Sequence, residues 1–426
     1  MSQTQSSSAP LTTADGVSLK VSLNRALRKR KITALLLVTP LFLFILLTFL
    51  GPIFDMLLRS VDNKIVVQVL PTTVPLLKEW DSSSGDLPDE AIFKAFVEDA
   101  HIASVDKTIS RLGKRLNYEK TGMSSLFRKT GRKLKKFDPE KLESSYTDLL
   151  LGMDKKWKDP DVWSLIKRES GVYTASYYLS AVDAEFGSDG GVQAKPDQQR
   201  IYMKLLKRTM WLSSLITLLT VILGYPIAYL LASLKTRTSN LLMILVLLPF
   251  WTSLLVRTSA WIALLQRQGV INDFLVTLGL IGDDGRLAMI HNQVGTVIAM
   301  THILLPFMIL PLFSVMKTIP PSYVRAARSM GATSFTAFRR VYFPNTVAGI
   351  GAGGILVFIL AIGYYITPAL VGGTSGTLIS NFIAYHVSTS LNWGLAAALG
   401  TILLMVVLAL YILYDKIVGI DNMKLG

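Results

Sequence analysis

Residues 321–344, PSYVRAARSMGATSFTAFRRVYFP, have the spacing of two short helices joined by a tight turn. Gly331, between the two halves, can adopt a positive φ angle without the steric cost of a Cβ atom. Thr333 or Ser334 can cap the second helix, and Pro344 is expected to end it. Long apolar runs flank the segment on both sides, so we predict a compact helical loop at one aqueous face of a membrane.

The chemistry that this loop offers is docking to another protein. Phe338 supplies one large apolar side chain, with Arg339 and Arg340 directly beside it. The first helix carries the small residues Ala326 and Ala327 next to each other. The alternative interpretation is an ordinary amphipathic connector between two membrane-spanning helices.

Residue types that make or break bonds are poorly represented. The chain has no cysteine, and its four histidines are too scattered for metal-ligand spacing. It lacks the GxxxxGK[ST] pattern of a phosphate-binding loop. Paired carboxylates or a nucleophile beside a base do not stand out in the polar region 59–208. We therefore predict no catalytic residue, metal or cofactor, with a membrane-embedded enzyme or scaffold as a minor alternative.

Several residues inside apolar runs could instead line a path for a solute. Arg257 lies in the middle of LLVRTSAWIALL, where an unpaired charge costs at least a few kcal/mol. It needs water or a partner, and both a pathway role and a structural ion pair remain open. The other candidates for the translocation pathway are Trp251, Trp261, Tyr364, Tyr365 and Pro368. Each aromatic residue could equally anchor a helix at the membrane interface.

Two further intramembrane features have simpler interpretations. The series Gly349, Gly351, Gly353 and Gly354 favours close packing of helices over a pathway wall. His302 is the single mid-span histidine, and an ion-driven secondary carrier would need a relay of such titratable groups. We therefore keep the secondary carrier as a less favoured alternative.

The elements that must position these residues are membrane-spanning helices. The 426-residue chain is 51% hydrophobic, with a mean hydropathy of +0.44. At about 1.5 Å per residue, six apolar runs can cross a hydrocarbon core of about 30 Å. These runs are 32–58, 209–233, 241–265, 288–316, 346–367 and 394–415.

Charge placement predicts which side each loop faces. The net charge of +15 could indicate nucleic-acid binding, but the basic residues gather in loops beside apolar runs, as membrane topology requires. Loops on one side carry most of them, together with the basic tail 1–31. Both termini, including the tail 416–426, are therefore predicted to be cytoplasmic, and the partner is predicted to be the lipid bilayer, not nucleic acid.

Region 59–208 is polar and has no bilayer-spanning run, so we predict a helical extracytoplasmic insert. Helical periodicity is clear over 89–116, with apolar residues near one face; these are Ile92, Phe93, Phe96, Val97, Ala100 and Val105. Further helices are expected at 139–151 and 160–166, and a linker at 187–196. The basic run 128–136 is interpreted as a surface facing solvent or lipid headgroups.

The loop at 317–345 resembles the cytoplasmic coupling loop, or EAA motif, of ABC-importer permeases. The resemblance rests on Arg325-Ala326-Ala327, Gly331-Ala332, Phe338, Val341 and Phe343-Pro344. Arg325 stands where that family usually has Glu. The resemblance implies that Arg325, Ala326, Ala327, Gly331, Ala332, Phe338, Arg339 and Pro344 couple the chain to ATPase subunits.

Three further segments, GYPIAYLLA (224–232), LPFWTSLLVRTSAWIALL (248–265) and GYYITPALVGG (363–373), are similar to permeases of spermidine/putrescine-type importers. The resemblance implies an all-α, six-helix, type I ABC-importer permease in the bacterial inner membrane, with 209–415 as its five-helix core after the first span. It also implies a second permease subunit, cytoplasmic ATPases and a solute-binding protein. A polyamine is the implied solute, and an amino acid or opine-like compound is the alternative. Region 59–208 lies outside the resemblance, because such permeases have a much shorter loop there.

Overall fold

The computed structural model describes residues 19–82, 84–138, 145–187 and 190–418. The chain divides into two compact units, residues 1–59 and 60–426. Within the described part, five helices are long and apolar enough to cross a membrane, or six if one bent pair counts as a span.

The described part of the first unit, residues 19–59, is one long helix with a local widening. Helix α1 (Leu19–Ile45) continues through a π-helical turn (Leu46–Leu50) into α2 (Gly51–Arg59). The N–H of Gly51 bonds to the carbonyl oxygen of Leu46, five residues back. This widening accommodates Pro52, because proline has no N–H and its ring would otherwise collide with the preceding turn. The apolar span covers Leu27–Arg59.

The insert in the second unit is a small helical domain. Its helices are α3 (Ile65–Val69), α4 (Thr73–Glu79), α5 (Glu90–Val105), α6 (Ile109–Asn117), α7 (Met123–Leu134), α8 (Tyr146–Met153), α9 (Pro160–Arg168) and α10 (Ser176–Ala181). Short 3₁₀ turns occur at Lys155–Lys158 and Asp197–Gln199. An aromatic cluster fills the core, in which Phe96 lies 4.7 Å from Trp157 and 5.3 Å from Trp163 between ring centroids.

The insert helices agree largely with the periodicity in the sequence. The helix predicted over 89–116 is two helices, α5 and α6, because the chain turns at Lys107 with φ of 60°. The predicted inward face is buried except for Val105. Of the helix predicted at 139–151, residues 139–144 lie outside the described residues. The expected linker at 187–196 is wrong in part, since Val192–Ala194 forms strand β2 paired antiparallel with β1 (Ala184–Phe186).

The membrane core follows the insert. It comprises α11 (Tyr202–Ser233), α12 (Thr236–Leu247), a 3₁₀ turn (Leu248–Trp251), α13 (Leu254–Leu265), α14 (Val270–Thr277), a second 3₁₀ turn (Asp283–Gly285), α15 (Gln293–Thr318), α16 (Pro321–Ser329), α17 (Ser334–Ala337), a π turn (Phe338–Tyr342), α18 (Phe343–Gly363), α19 (Ile366–Val371), α20 (Gly373–Gly376), α21 (Ile379–Ser388) and α22 (Trp393–Val418).

Glycines let α15 pack closely against its neighbours. A Cβ on Gly353 would lie 2.7 Å from the sulfur of Met308, and one on Gly349 would lie 3.2 Å from the Cα of Leu312. Side chains larger than hydrogen are therefore excluded at these crossings. At both positions the glycine serves helix packing, as the sequence predicted.

The span predicted as one helix over 241–265 is wrong. The chain bends by 95° between the helical stretches Thr236–Trp251 and Leu254–Thr277. Pro249 opens the 3₁₀ turn, and Thr252 and Ser253 leave the helical region with ψ of 143° each. The Ser253 hydroxyl then accepts a hydrogen bond from the N–H of Val256 and starts α13.

The prediction that Pro344 ends a helix is also wrong. Helix α17 continues through the π turn into α18, giving one helical stretch over Ser334–Gly363. The N–H of Phe343 bonds to the carbonyl oxygen of Phe338, which widens the helix just before the proline ring. The Asn345 amide donates to the Val341 carbonyl at 2.6 Å. The second half of the loop and the following membrane span are thus one continuous helical stretch.

Candidate functional site

The turn of the coupling segment, residues 317–345, forms as its sequence predicts. Gly331 has φ of +89°, and the N–H of Ala332 bonds to the Ala327 carbonyl at 3.1 Å, which closes α16. The Thr333 hydroxyl accepts from the N–H of Thr336 at 3.2 Å and caps α17. The segment is therefore a fixed two-helix element.

Phe338 faces inward, although the sequence suggested a docking side chain. Its ring is half-buried and lies 6.2 Å from Tyr225 and 6.0 Å from Tyr229, both on α11, in edge-to-face geometry. It also stacks on Tyr342 at 5.9 Å. Such aromatic pairs add to the energy of burial. Phe338 thus anchors the coupling segment to α11.

The outward apolar side chains of the segment are Met330 and Phe335, with 82% and 71% of their surfaces exposed. They flank the turn at Gly331, and Tyr323 adds a third exposed side chain, on α16. Sequence reasoning missed both. The signal was available, because large apolar residues beside a tight turn between two short helices have little room to be buried.

The coupling segment is strongly basic. Arg325, Arg328, Arg339 and Arg340 are exposed, and none forms an ion pair with a described residue. From 202 to 414 the only acidic residues are Asp273, Asp283 and Asp284, near the 3₁₀ turn after α14. There, two of them pair with Arg286 at 2.7 and 2.8 Å. The segment therefore presents uncompensated positive charge. Of the remaining predicted coupling residues, Ala326 and Ala332 lie at the surface side, and Ala327 is buried.

The second candidate region is the break between α12 and α13. The Arg257 guanidinium donates to the carbonyl oxygens of Pro249 and Thr252, the latter at 3.1 Å, and Nε reaches the Thr252 hydroxyl at 3.3 Å. The Pro249 carbonyl also accepts from the N–H of Thr252 at 3.4 Å and from its hydroxyl at 2.8 Å. Of the two roles that the sequence left open for Arg257, an ion pair with a carboxylate is absent among the described residues, and the guanidinium instead bonds to backbone oxygens at the bend.

A second break, at Tyr364 and Tyr365 between α18 and α19, lies beside the first. The Ser380 hydroxyl donates to the Tyr364 carbonyl at 2.8 Å, and the Asn381 amide donates to the Tyr365 carbonyl at 2.7 Å. The two regions are connected by the hydroxyls of Thr258 and Thr367, which lie 3.3 Å apart. The structure thus brings together two interrupted helices.

Trp261 donates from Nε1 to Nδ1 of His302 at 3.2 Å, with ring centroids 5.2 Å apart. Pro368 is buried within α19, whereas Tyr365 is exposed. Trp251 is 76% exposed at the tip of the first break. Within the described residues there is no group of three or more His, Asp or Glu side chains that could hold a metal ion.

Comparison with known proteins places this architecture in a family. Residues 224–418 match the family described as binding-protein-dependent transport system inner membrane component. The chain is 33% identical over 210 residues to the spermidine/putrescine transport system permease protein PotB of Haemophilus influenzae, covering 49% of this chain and 73% of that one. It is 32% identical over 224 residues to PotB of Escherichia coli strain K12, covering 53% and 81%.

The inner membrane ABC transporter permease protein YdcU of E. coli strain K12 is 32% identical over 225 residues, covering 50% of this chain and 71% of that one. Among solved structures, a bacterial alginate ABC transporter in complex with its alginate-bound periplasmic protein gives a TM-score of 0.43 at 18% identity, over 53% of this chain and 80% of that chain. The family match includes the coupling segment and both helix breaks. This chain belongs to the inner membrane components of binding-protein-dependent transport systems.

Proposed function

We propose that this chain is the permease subunit through which an ATP-driven importer moves a polyamine such as spermidine or putrescine. The observation that carries the transport assignment is the coupling segment: a fixed two-helix element with exposed apolar and basic residues, continuous with a membrane span. The polyamine assignment is supported by the identity to spermidine/putrescine permeases.

In this proposal, ATPase subunits dock on the coupling segment, with Met330 and Phe335 as the apolar contacts. Arg325, Arg339 and Ala326 add the surrounding surface. Because α17, the π turn and α18 form one helix, movement of the docked ATPase would displace α18 directly. Gly331, Ala332, Phe338 and Pro344 would keep the segment in its docking shape.

The translocation pathway would run past the two helix breaks. Interrupted helices expose backbone carbonyls inside a membrane, and these oxygens can bind cationic groups. Arg257 occupies two of the carbonyls in this structure. The rings of Trp251, Trp261, Tyr364 and Tyr365, with Pro368 holding the second break, would line the route. Carboxylates for a polyamine would come from the second permease subunit of a heterodimer, since the core spans of this chain contain none.

For topology, we propose cytoplasmic termini, a cytoplasmic coupling segment and an extracytoplasmic insert. The concentration of basic residues in 317–345 supports this orientation. The insert would then face the solute-binding protein.

The test is reconstitution of the chain with its partner permease, ATPase and binding protein in proteoliposomes. ATP-dependent uptake of labelled spermidine is expected, and unlabelled putrescine should compete. Uptake of an amino acid but not of either polyamine would refute the assignment of a polyamine as the substrate. Uptake driven by an ion gradient without ATP would refute the assignment to ATP-driven importers.

A further inference from the structure

A cavity of about 490 Å³ lies behind the coupling segment, where the last turns of α11 and α15 meet α16 and the π turn. Its polar lining consists of two arginines and four hydroxyl-bearing residues: Arg325, Arg328, Tyr229, Ser233, Ser334 and Tyr342. No carboxylate lines it. A site with two guanidinium groups, several hydroxyl donors and no negative charge is suited to an anion.

The positive charge of the two cavity arginines is not balanced by carboxylates elsewhere among the described residues. Arg325 and Arg328 are three residues apart on α16 and so share one helical face. Neither side chain makes an ion pair with a described residue. The three acidic residues of the core between 202 and 414 are all at 273–284, on α14 and the 3₁₀ turn after it. The described residues therefore supply no counter-charge for these arginines.

The position and the apolar walls identify the kind of anion. Helix α11 ends at Ser233 and α15 at Thr318, so the cavity is at the level where membrane spans end and lipid headgroups lie. Met316 and Val324 contribute apolar surface beside the guanidinium groups. The lining is therefore amphipathic, as is a phospholipid at its glycerol and phosphate.

We propose that this cavity binds the phosphate headgroup of an anionic phospholipid, with Arg325 and Arg328 as its charge partners. Basic pockets between membrane helices bind such headgroups. The proposed function has this segment in the cytoplasm, so the lipid would come from the cytoplasmic leaflet. Lipid binding by the cavity does not depend on that orientation.

The test uses the full-length chain, purified in detergent and stripped of lipid. Native mass spectrometry would measure binding of short-chain phosphatidylglycerol, with phosphatidylethanolamine as the zwitterionic comparison. Each basic residue near an anionic headgroup contributes about a fivefold gain in affinity. The double variant Arg325→Gln/Arg328→Gln should therefore bind phosphatidylglycerol about 25-fold more weakly.

The matched control is Arg339→Gln/Arg340→Gln, which removes two exposed arginines of the same segment that do not line the cavity. It should bind phosphatidylglycerol as the unaltered chain does. A second variant, Arg325→Lys/Arg328→Lys, keeps the charge and should retain most of the binding, which guards against loss of folding in the Gln variant.

Four results would overturn the proposal. Equal binding of phosphatidylglycerol and phosphatidylethanolamine would do so, as would unchanged phosphatidylglycerol binding by the Gln variant. Displacement of the lipid by millimolar inorganic phosphate would assign the cavity to a free phosphate ion. If the Gln variant loses capture of the ATPase subunit but keeps the lipid, the arginines serve the protein partner instead. The lipid-binding results leave polyamine uptake untested, and loss of ATPase capture would support the docking role in the proposed function, so failure here is distinct from failure of the proposed function.

Discussion

At the scale of single residues, the candidate site consists of side chains that stabilise helix breaks and turns, and not of reactive groups. Arg257 shows this most clearly, because its planar guanidinium donates to two carbonyls at the bend of a helix, those of Pro249 and Thr252. Gly331 stabilises the turn of the coupling segment by adopting a φ angle of +89°. In both cases the local backbone conformation determines which residue type fits the position.

Replacing Arg257 by leucine should destabilise the chain. A hydrogen bond from a charged group contributes roughly 1.5–3 kcal/mol, and the Lys variant should recover only part of this because an ammonium lacks the fork geometry. Thermal unfolding in detergent would measure the effect, with exposed Arg267→Leu as control. Equal melting temperatures for Arg257→Leu and the unaltered chain would contradict the structural role.

Gly331→Val should impair uptake without removing the protein from the membrane. No atom lies within 4 Å of the position of an added Cβ, so the penalty comes from the positive φ alone and is on the order of 1–2 kcal/mol. Asparagine tolerates this conformation, so Gly331→Asn is the matched control. ATPase activity stimulated by the binding protein would be measured beside membrane levels. Full activity of the valine variant would argue against a fixed turn.

At the scale of elements, α17, the π turn and α18 form one helical stretch, Ser334–Gly363. The π turn before Pro344 avoids the break that proline normally causes, and the ring of Phe338 fastens that turn to α11. Force applied at Phe335 therefore reaches a membrane span through continuous helix, whereas force applied at Met330 must pass through the turn at Gly331. The broken span between α12 and α13 is the opposite case, where the chain bends inside the apolar region.

The pair Phe338→Ala and Phe335→Ala should separate anchoring from docking. Loss of the half-buried Phe338 ring should lower the free energy of unfolding by about 2 kcal/mol, less than for a fully buried phenylalanine. Loss of Phe335 should leave thermal unfolding unchanged and weaken co-purification of the ATPase subunit. The assignment fails if the two variants exchange these effects.

At the scale of the molecule, the insert contacts the core at the end of α21 and the start of α22. Tyr118 donates to the Ser390 carbonyl at 3.2 Å, and Tyr177 packs on Gly394 at the start of α22. Arg115 lies 4.6 Å above the Tyr177 ring and pairs with Glu169 at 2.6 Å in the buried base of the insert. These contacts hold the insert at a fixed place on the membrane core.

The chain as a whole is a multi-pass inner membrane transport subunit, and ATP hydrolysis belongs to a separate subunit.

The same junction should make stability depend on pH. His386 is buried, bonded to the Tyr202 hydroxyl and to Ser390 at 2.8 Å each, with the Tyr385 ring beside it. Burial holds the pKa of His386 below its ordinary value of 6.5. The unfolded chain therefore binds a proton that the folded chain resists, so stability should fall as pH drops below about 6.5.

Thermal unfolding between pH 7.5 and 5 would measure this effect. The His386→Gln variant cannot take up a proton at this position, so its melting temperature should vary less between pH 7.5 and 5 than that of the unaltered chain. At pH 7.5 the melting temperature of the variant should be lower than that of the unaltered chain. Identical pH dependence of the two proteins would show that His386 does not control the junction.

The sequence by itself determined the membrane class, the apolar runs, the turn at Gly331 with a hydroxyl cap at Thr333 or Ser334 after it, and the inward face of α5. These features follow from local composition and periodicity, which need no knowledge of neighbours. Only the tertiary structure decided the bend after Pro249, the continuity through Pro344, the partners of Arg257 and the inward direction of Phe338. Each of these depends on which carbonyl or ring another helix brings within a few ångströms, and spacing along one chain does not contain that information.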